Sequence, residues 1–414
     1  MEVYFPLILD GATGTQLQKR GYDGKICAEQ WVLEHPEAIL DLQKKYIEAG
    51  SDVIYAPTFG ANRVKLEENG IFNRTREYNI RLAELSKQAV REAGAEGRVL
   101  VAGDIAPTGK FLAPMGDARF EELYDIDYEQ ASALEEAGVD MFVIETMMTV
   151  SDARAALLAV KAVSDRPVMV SFTCDQEGRT VTGSDIAAVL DIIQGMGADV
   201  FGMNCSVGPE DMLRQMKRLH HYAQVPLAAK ANAGMPETID GKTVYNYPPE
   251  RFAAVQYAFA KAGVCLFGGC CGTGPEHVRA MKEAAGAFQM TRPDPDALQD
   301  KLPAATEKEI FPLDEDIRIG KPVECDAGLS AAIEEAEDSP DPVLAVHIAS
   351  AQELDEFELC QYAVKKPLCI VTEDAEALEG ALRVYQGRAM YEGNLPEKVL
   401  SPLAEKYGLV YGLV

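Results

Sequence analysis

Eight apolar runs, each followed by a stretch with helical periodicity, fill this chain from its start to about residue 285, and that alternation limits its architecture more than any other feature. The runs are Leu7–Ala12, Asp52–Thr58, Val99–Ala106, Asp140–Thr146, Pro167–Cys174, Asp199–Ser206, Pro226–Ala231 and Val264–Cys270. Most are continuously apolar rather than alternating, the pattern of parallel strands buried on both faces. Helical patterns lie between them, among them Pro36–Glu48, Thr75–Ala93, Glu121–Ala137, Val150–Val163 and Pro249–Lys261. Eight strand–helix pairs over about 250 residues predict an α/β fold of the (β/α)8 TIM-barrel type. A doubly wound open sheet is the competing arrangement, but no Gly-x-Gly-x-x-Gly turn follows the first strand.

Barrel chemistry gathers at the C-terminal ends of the strands, so those ends are read together. The last strand runs into Gly268-Gly269-Cys270-Cys271-Gly272-Thr273, two cysteines set among glycines. Neighbouring side chains on a regular strand point to opposite faces, and the glycines release the backbone so that both sulfurs can turn to one point. Burial as two small hydrophobes is the alternative for such a pair. A third cysteine, Cys205, ends the sixth strand in Asn204-Cys205-Ser206. Three thiolates with one open position is the layout of a catalytic zinc site rather than a closed structural one.

Asp10-Gly11-Ala12-Thr13-Gly14-Thr15, Asn204-Cys205-Ser206 and Gly268 through Thr273 together resemble the homocysteine S-methyltransferases. Thr58-Phe59-Gly60-Ala61-Asn62 and Asn232-Ala233-Gly234 fit the same family. The resemblance covers about residues 5–285 and is nearest to the homocysteine-binding module of cobalamin-dependent enzymes of that family. It implies a zinc barrel with Cys205, Cys270 and Cys271 as ligands, and recognition of the amino acid by Asp10, Gly11, Ala12, Thr13 and Gly14 and by Glu145.

The chemistry of these residues supports such roles. A zinc-bound thiol is deprotonated, and three cysteinates leave a fourth sulfur electron-rich enough to attack a methyl group. Asp10 and Glu145 are carboxylates suited to an α-ammonium, while the backbone N–H groups of Gly11–Gly14 suit a carboxylate. Taken alone, Asp10 could instead stabilise a turn and Glu145 could cap a helix. Asn204 and Asp104 are expected behind the site, orienting its loops. The expected reaction is zinc-dependent S-methylation of homocysteine to methionine, with the methyl supplied by methylcobalamin on a corrinoid partner or by another donor. A non-catalytic zinc- or thiol-binding protein that retains the barrel is the alternative.

A net charge of −27 argues against nucleic acid and anionic membranes as partners. The apolar run Val3 to Leu9 contains Pro6, lacks a basic flank and is too short for a signal or spanning helix. Nine cysteines without an export signal fit a reducing cytoplasm.

Beyond residue 290 the character changes. Residues 291–316, with Pro293, Pro295, Pro303 and Pro312, are expected to form a linker. The tail, 317–414, alternates again, with strands expected at Ile317–Val323, Pro342–Ile348, Pro367–Val371, Ala389–Tyr391 and Leu409–Val414. Helices are expected at Gly328–Glu337, Gln352–Lys365, Ala375–Tyr385 and Pro396–Lys406. From Pro367 to Arg388 the tail resembles part of a methyltetrahydrofolate-binding barrel. Five parallel strands cannot close, so the tail is expected to dock on the first barrel or to form a homo-oligomer interface rather than to bind folate.

Overall fold

The computed structural model describes residues 5–239, 242–294, 301–314 and 317–412. Eight parallel strands form the barrel: β1 (Leu7–Ile8), β2 (Val53–Tyr55), β3 (Leu100–Ile105), β4 (Met141–Met147), β5 (Val168–Phe172), β6 (Val200–Asn204), β7 (Leu227–Ala231) and, after an inserted hairpin of β8 (Pro236–Ile239) and β9 (Lys242–Tyr245), β10 (Val264–Gly269). Their spatial order is β1-β10-β7-β6-β5-β4-β3-β2. The ring is completed where the Asp52 N–H donates to the Ile8 carbonyl at 2.6 Å and the Ile8 N–H donates to the Asp52 carboxylate at 2.8 Å. The expected (β/α)8 fold is therefore the observed one.

Strand bounds are shorter than the apolar runs suggest. Only Leu7 and Ile8 of the first run pair in the ladder. Beyond them a bond from the Leu9 N–H to the Phe267 carbonyl and one from the Gly269 N–H to the Asp10 carbonyl carry the chain to the mouth. Apolar sequence marks burial, and the chain stays buried after it has left the ladder. The hairpin β8–β9 has no counterpart among the expected elements. Its alternation is too short to register as strand pairing in a one-dimensional reading.

Two apolar layers hold the barrel. Inside the ring, Leu9, Val53, Met141, Val143, Met169 and Leu266 fill the centre. Outside it, Phe142, Phe172, Phe201 and Phe267 meet helix residues such as Leu82, Leu123, Leu157 and Ile193. Each such side chain contributes about 1.5–3 kcal/mol on full burial. The helix Val150–Val163 begins at Thr149, whose side chain accepts the Asp152 N–H. Every residue of this helix from Val150 to Val160 is buried, as is every residue from Ile186 to Gln194 in the next helix, Ile186–Gly195. Helices apolar all round need cover on both sides.

That cover comes from the C-terminal part of the chain. Residues 301–314, expected to be linker, hold an antiparallel hairpin of β11 (Leu302–Ala305) and β12 (Ile310–Leu313). The Ala305 and Arg388 backbones exchange hydrogen bonds, and Ala304 and Ala305 are fully buried. The rest of the expected linker, 295–300 and 315–316, lies outside the described residues. The tail sheet has four parallel strands, β13 (Val323–Glu324), β14 (Leu344–His347), β15 (Leu368–Val371) and β16 (Met390–Glu392), in sequential order. Five were expected. The run at Leu409–Val414 contributes one bridge, Val410 to Met390, and residues 413 and 414 lie outside the described set. The expected helix Gln352–Lys365 is broken into a short α-helix, Leu354–Cys360, flanked by two 3-10 turns.

The sheet and its helices pack on the barrel through polar as well as apolar contacts. Arg388 donates to the fully buried carboxylate of Asp191 at 2.9 Å. Arg154, itself buried, donates to the Leu382 carbonyl at 2.6 Å and touches the Met196 sulfur. Arg383 pairs with Glu121, and Arg119 with Asp355 and Glu358. One continuous apolar cluster runs from the barrel helices to Leu329, Leu378 and Leu403 of the tail.

Candidate active site

Cys205, Cys270 and Cys271 converge at the C-terminal mouth of the barrel, their sulfurs within 4.8 Å of one another. The Cys205 and Cys271 sulfurs are 3.9 Å apart. A disulfide would need about 2.05 Å, whereas thiolates about 2.3 Å from a tetrahedral zinc stand roughly 3.8 Å from each other. The trio is thus spaced for a metal, and sulfur donors suit a soft ion such as zinc. Hydrogen bonds from Cys205 and Cys270 hold the Cys271 thiol well below its ordinary value, while Cys205 and Cys271 push Cys270 well up.

The backbone explains how the sulfurs meet. Cys205 and Ser206 both adopt left-handed conformations, with φ of 61° and 55°. Such residues cost of order 1–3 kcal/mol each and gather at functional sites. The Cys205 N–H is held by the Lys230 carbonyl, the Cys270 N–H by Ala231, and the Cys271 carbonyl accepts from Ala233, so β7 clamps both cysteine loops. Gly272 has φ of +83°, and a side chain there would run into Tyr245 of the inserted hairpin. Thr273 joins the cysteine loop to the first strand's loop: its hydroxyl donates to the Cys270 carbonyl at 2.7 Å and accepts the Ala12 N–H at 3.1 Å.

Beside the sulfurs lies a cavity of about 270 Å³ lined by Asp10, Gly11, Ala12, Thr13, Gly14, Glu145 and all three cysteines. The sequence-derived candidates thus come together, except that Asn204 stands one layer behind. Its amide oxygen accepts from the Thr146 N–H and the Ser171 hydroxyl, each at 2.9 Å, and its nitrogen faces Glu145 Oε2 at 3.4 Å. Thr146, with φ of 58°, is a third strained residue at the mouth. Ala12 is committed to the fold, since its carbonyl accepts the Tyr46 hydroxyl at 2.7 Å and its N–H serves Thr273.

Lys230, Tyr55 and Asp104 also line the pocket, so Asp104, expected behind the site, stands at the cavity wall. Lys230 Nζ donates to Asp10 Oδ1 at 3.0 Å and lies 3.5 Å from the centre of the Tyr55 ring. It stands 4.0 Å from Glu145 Oε2. The other Asp10 oxygen accepts the Tyr55 N–H at 2.9 Å. Burial pushes the Asp10 carboxyl up and Lys230 draws it back. Burial also works against the ammonium, yet Asp10, Tyr55 and Glu145 hold Lys230 well above its usual range. The two shifts pull the pair in opposite senses. Two N–H donors on one carboxylate decide for the ionic form. Burial, then the Glu145 charge, drives Asp104 well up, and burial raises Glu145 against the pull of Lys230. Lys230 and Tyr55 carried a readable signal: a lysine and a tyrosine inside otherwise apolar buried strands.

A closed parallel barrel with three convergent thiols and an acidic, amino-acid-sized pocket at its C-terminal mouth defines a class of thiol-lined, metal-competent barrels. Residues 7–285 match the family profile for homocysteine S-methyltransferase, and the chain belongs to that family. The methionine synthase of Mycobacterium tuberculosis (strain ATCC 25618 / H37Rv) is 30% identical over 305 residues, covering 70% of this chain and 25% of that protein. The methionine synthase of Mycobacterium leprae (strain TN) is 29% identical over 293 residues, covering 67% and 24%. The chain therefore spans about a quarter of the length of these curated relatives. Among solved structures, the metallated form of the homocysteine methyltransferase MmuM from Escherichia coli superposes with a TM-score of 0.57 at 25% identity, over 68% of this chain and 96% of that one.

Proposed function

We propose that this chain methylates the sulfur of homocysteine to give methionine, with Zn2+ held by Cys205, Cys270 and Cys271. The observation that carries this is the meeting of three sulfurs with a buried acidic pocket. Zinc bound there would keep the substrate sulfur deprotonated at neutral pH. The chain's own groups bind and orient. Glu145 receives the α-ammonium, Asn204 fixes the Glu145–Thr146 turn, and the N–H groups of Thr13 and Gly14 face the α-carboxylate. No general base is needed, because the thiol proton leaves for solvent before transfer. The sulfur lone pair then forms the S–CH3 bond, and the electron pair of the broken bond stays with the donor.

The donor reaches the pocket from the mouth. Met115, Val181 and Met235 stand exposed on the loops after β3, β5 and β7, and Phe59, exposed after β2, gives the cavity rim an aromatic face. Such a rim suits a bulky donor such as methylcobalamin on a separate corrinoid protein or domain. A sensor would need only the sulfurs, so the buried carboxylates of the pocket favour the enzyme over a non-catalytic thiol-binding protein.

Residues 1–290 are proposed as the thiol barrel and 317–414 as a partial α/β unit that covers barrel helices. The tail's strand ends present Glu324, His347, Val371 and Glu392, with His347 Nδ1 on Glu324 Oε2 at 2.7 Å. These do not form a closed polar pocket of the kind a pterin requires. Among the described residues no helix is long and apolar enough to cross a membrane, and the free thiols suit a cytoplasmic setting. The test is zinc analysis with a homocysteine methylation assay against methylcobalamin and other methyl donors. Zinc-loaded protein that binds homocysteine and forms methionine with none of them would overturn the enzymatic reading.

A further inference from the structure

The pocket sets four carboxylates, Asp10, Glu29, Asp104 and Glu145, against a single lysine among its lining residues. They are not equally free to meet a ligand. Asp10 has one oxygen on Lys230 Nζ and the other on the Tyr55 N–H. Glu29 accepts the Gly60 N–H at 2.7 Å. Asp104 differs: it is 5% exposed, lines the cavity, and its Oδ1 has no hydrogen-bond partner among the described residues. An acceptor buried without a partner costs about 1–3 kcal/mol, more when charged, and such a group at a cavity wall points to what the cavity is built to hold.

We infer that Asp104, together with Glu145, receives the α-ammonium of the substrate, and that Lys230 has withdrawn Asp10 from that task by pairing with it. This rests on the pocket being the homocysteine site. Lys230 is fixed by Asp10 on one side and by the Tyr55 ring beneath it, so Asp10 is an internal counter-ion. The acceptors not committed within the protein are Asp104 Oδ1, unpartnered among the described residues, and Glu145, which faces the Asn204 amide and, at 4.0 Å, Lys230. An alkylammonium placed between them gains two acceptors, and its charge offsets the repulsion between Asp104 and Glu145 in a site that water reaches poorly. The pocket therefore selects for the amine of an amino thiol more strongly than for its carboxylate.

Three thiols separate the contributions in calorimetry on the zinc-loaded protein: homocysteine, 3-aminopropane-1-thiol without the carboxylate, and 4-mercaptobutyrate without the ammonium. In the unaltered protein, the amine-free thiol should bind at least about 10-fold more weakly than homocysteine. In Asp104→Asn, homocysteine and the aminothiol should weaken about 10- to 100-fold, 4-mercaptobutyrate should not change, and zinc content should be preserved. Asp104→Ser should discriminate in the same way if the asparagine variant folds poorly. Equal loss for all three thiols, or unchanged homocysteine affinity, overturns the assignment of Asp104. Failure of the unaltered protein to bind any of the three overturns the homocysteine reading itself, and this inference with it.

Discussion

The described residues form two parallel α/β sheets, and the candidate site lies at the mouth of one of them. In the barrel, the ends of β1, β3, β4, β6, β7 and β10 bring Asp10, Asp104, Glu145, Cys205, Lys230 and Cys270 to one cavity. In the C-terminal sheet, the ends of β13, β14, β15 and β16 carry Glu324, His347, Val371 and Glu392 in a row. Adjacent strands are about 4.8 Å apart, so the outer two of four stand some 14 Å from each other. The polar residues of the open sheet meet only as neighbours, in an exposed pair worth about 0–1 kcal/mol. Those of the ring converge at its mouth out of water, with Lys230 and Asp10 almost fully buried. Closure, more than the composition of the strand ends, turns one sheet into a pocket and leaves the other as cover.

The comparison breaks most decisively at the thiols. Cys205→Ala or Cys271→Ala should cut bound zinc from about one per chain to a small fraction and abolish methyl transfer, whereas Cys369→Ala in the tail sheet should leave zinc unchanged. Elemental analysis decides it, and undiminished zinc in either barrel variant removes that cysteine from the site.

The next effect tests whether the tail is cover or passenger. Arg388→Met leaves the buried Asp191 without its partner and should cost about 3–5 kcal/mol in urea unfolding. A loss below about 1 kcal/mol would mean that the C-terminal sheet contributes little to holding the barrel, on the scale of an exposed pair.

Glu145→Gln sharpens the role of the ring's buried carboxylates. It should weaken homocysteine about 10- to 100-fold in calorimetry with zinc retained. Zinc loss in this variant would make Glu145 part of the metal's support instead.

The smallest expected effect lies in the tail. His347→Ala should change homocysteine affinity less than about twofold, since the exposed pair it breaks is worth little. The unaltered protein should show no saturable heat with methyltetrahydrofolate. A micromolar folate site there would remove the contrast between the two sheets.

What the sequence determined by itself is the part written in local pattern. Continuous apolar runs and helical periodicity specify eight strand–helix units, and eight such units close, so the residues after each strand could be assigned to one mouth. That placed Cys205 beside Cys270 and Cys271 although they are distant along the chain. The all-round burial of the helices Val150–Val163 and Ile186–Gly195 emerged only with the structure. Only the tertiary structure decided what covers them, and which of several acidic residues would be spent inside the protein. Asp10 looked like a substrate carboxylate, and folding gave it Lys230 from a strand on the same wall of the barrel. Asp104 looked like a loop anchor, and folding left its Oδ1 without a partner among the described residues, at the cavity wall. Strand periodicity is set by each residue's own backbone, whereas pairing and desolvation depend on which side chains closure brings within a few ångströms, and no local pattern encodes that distance.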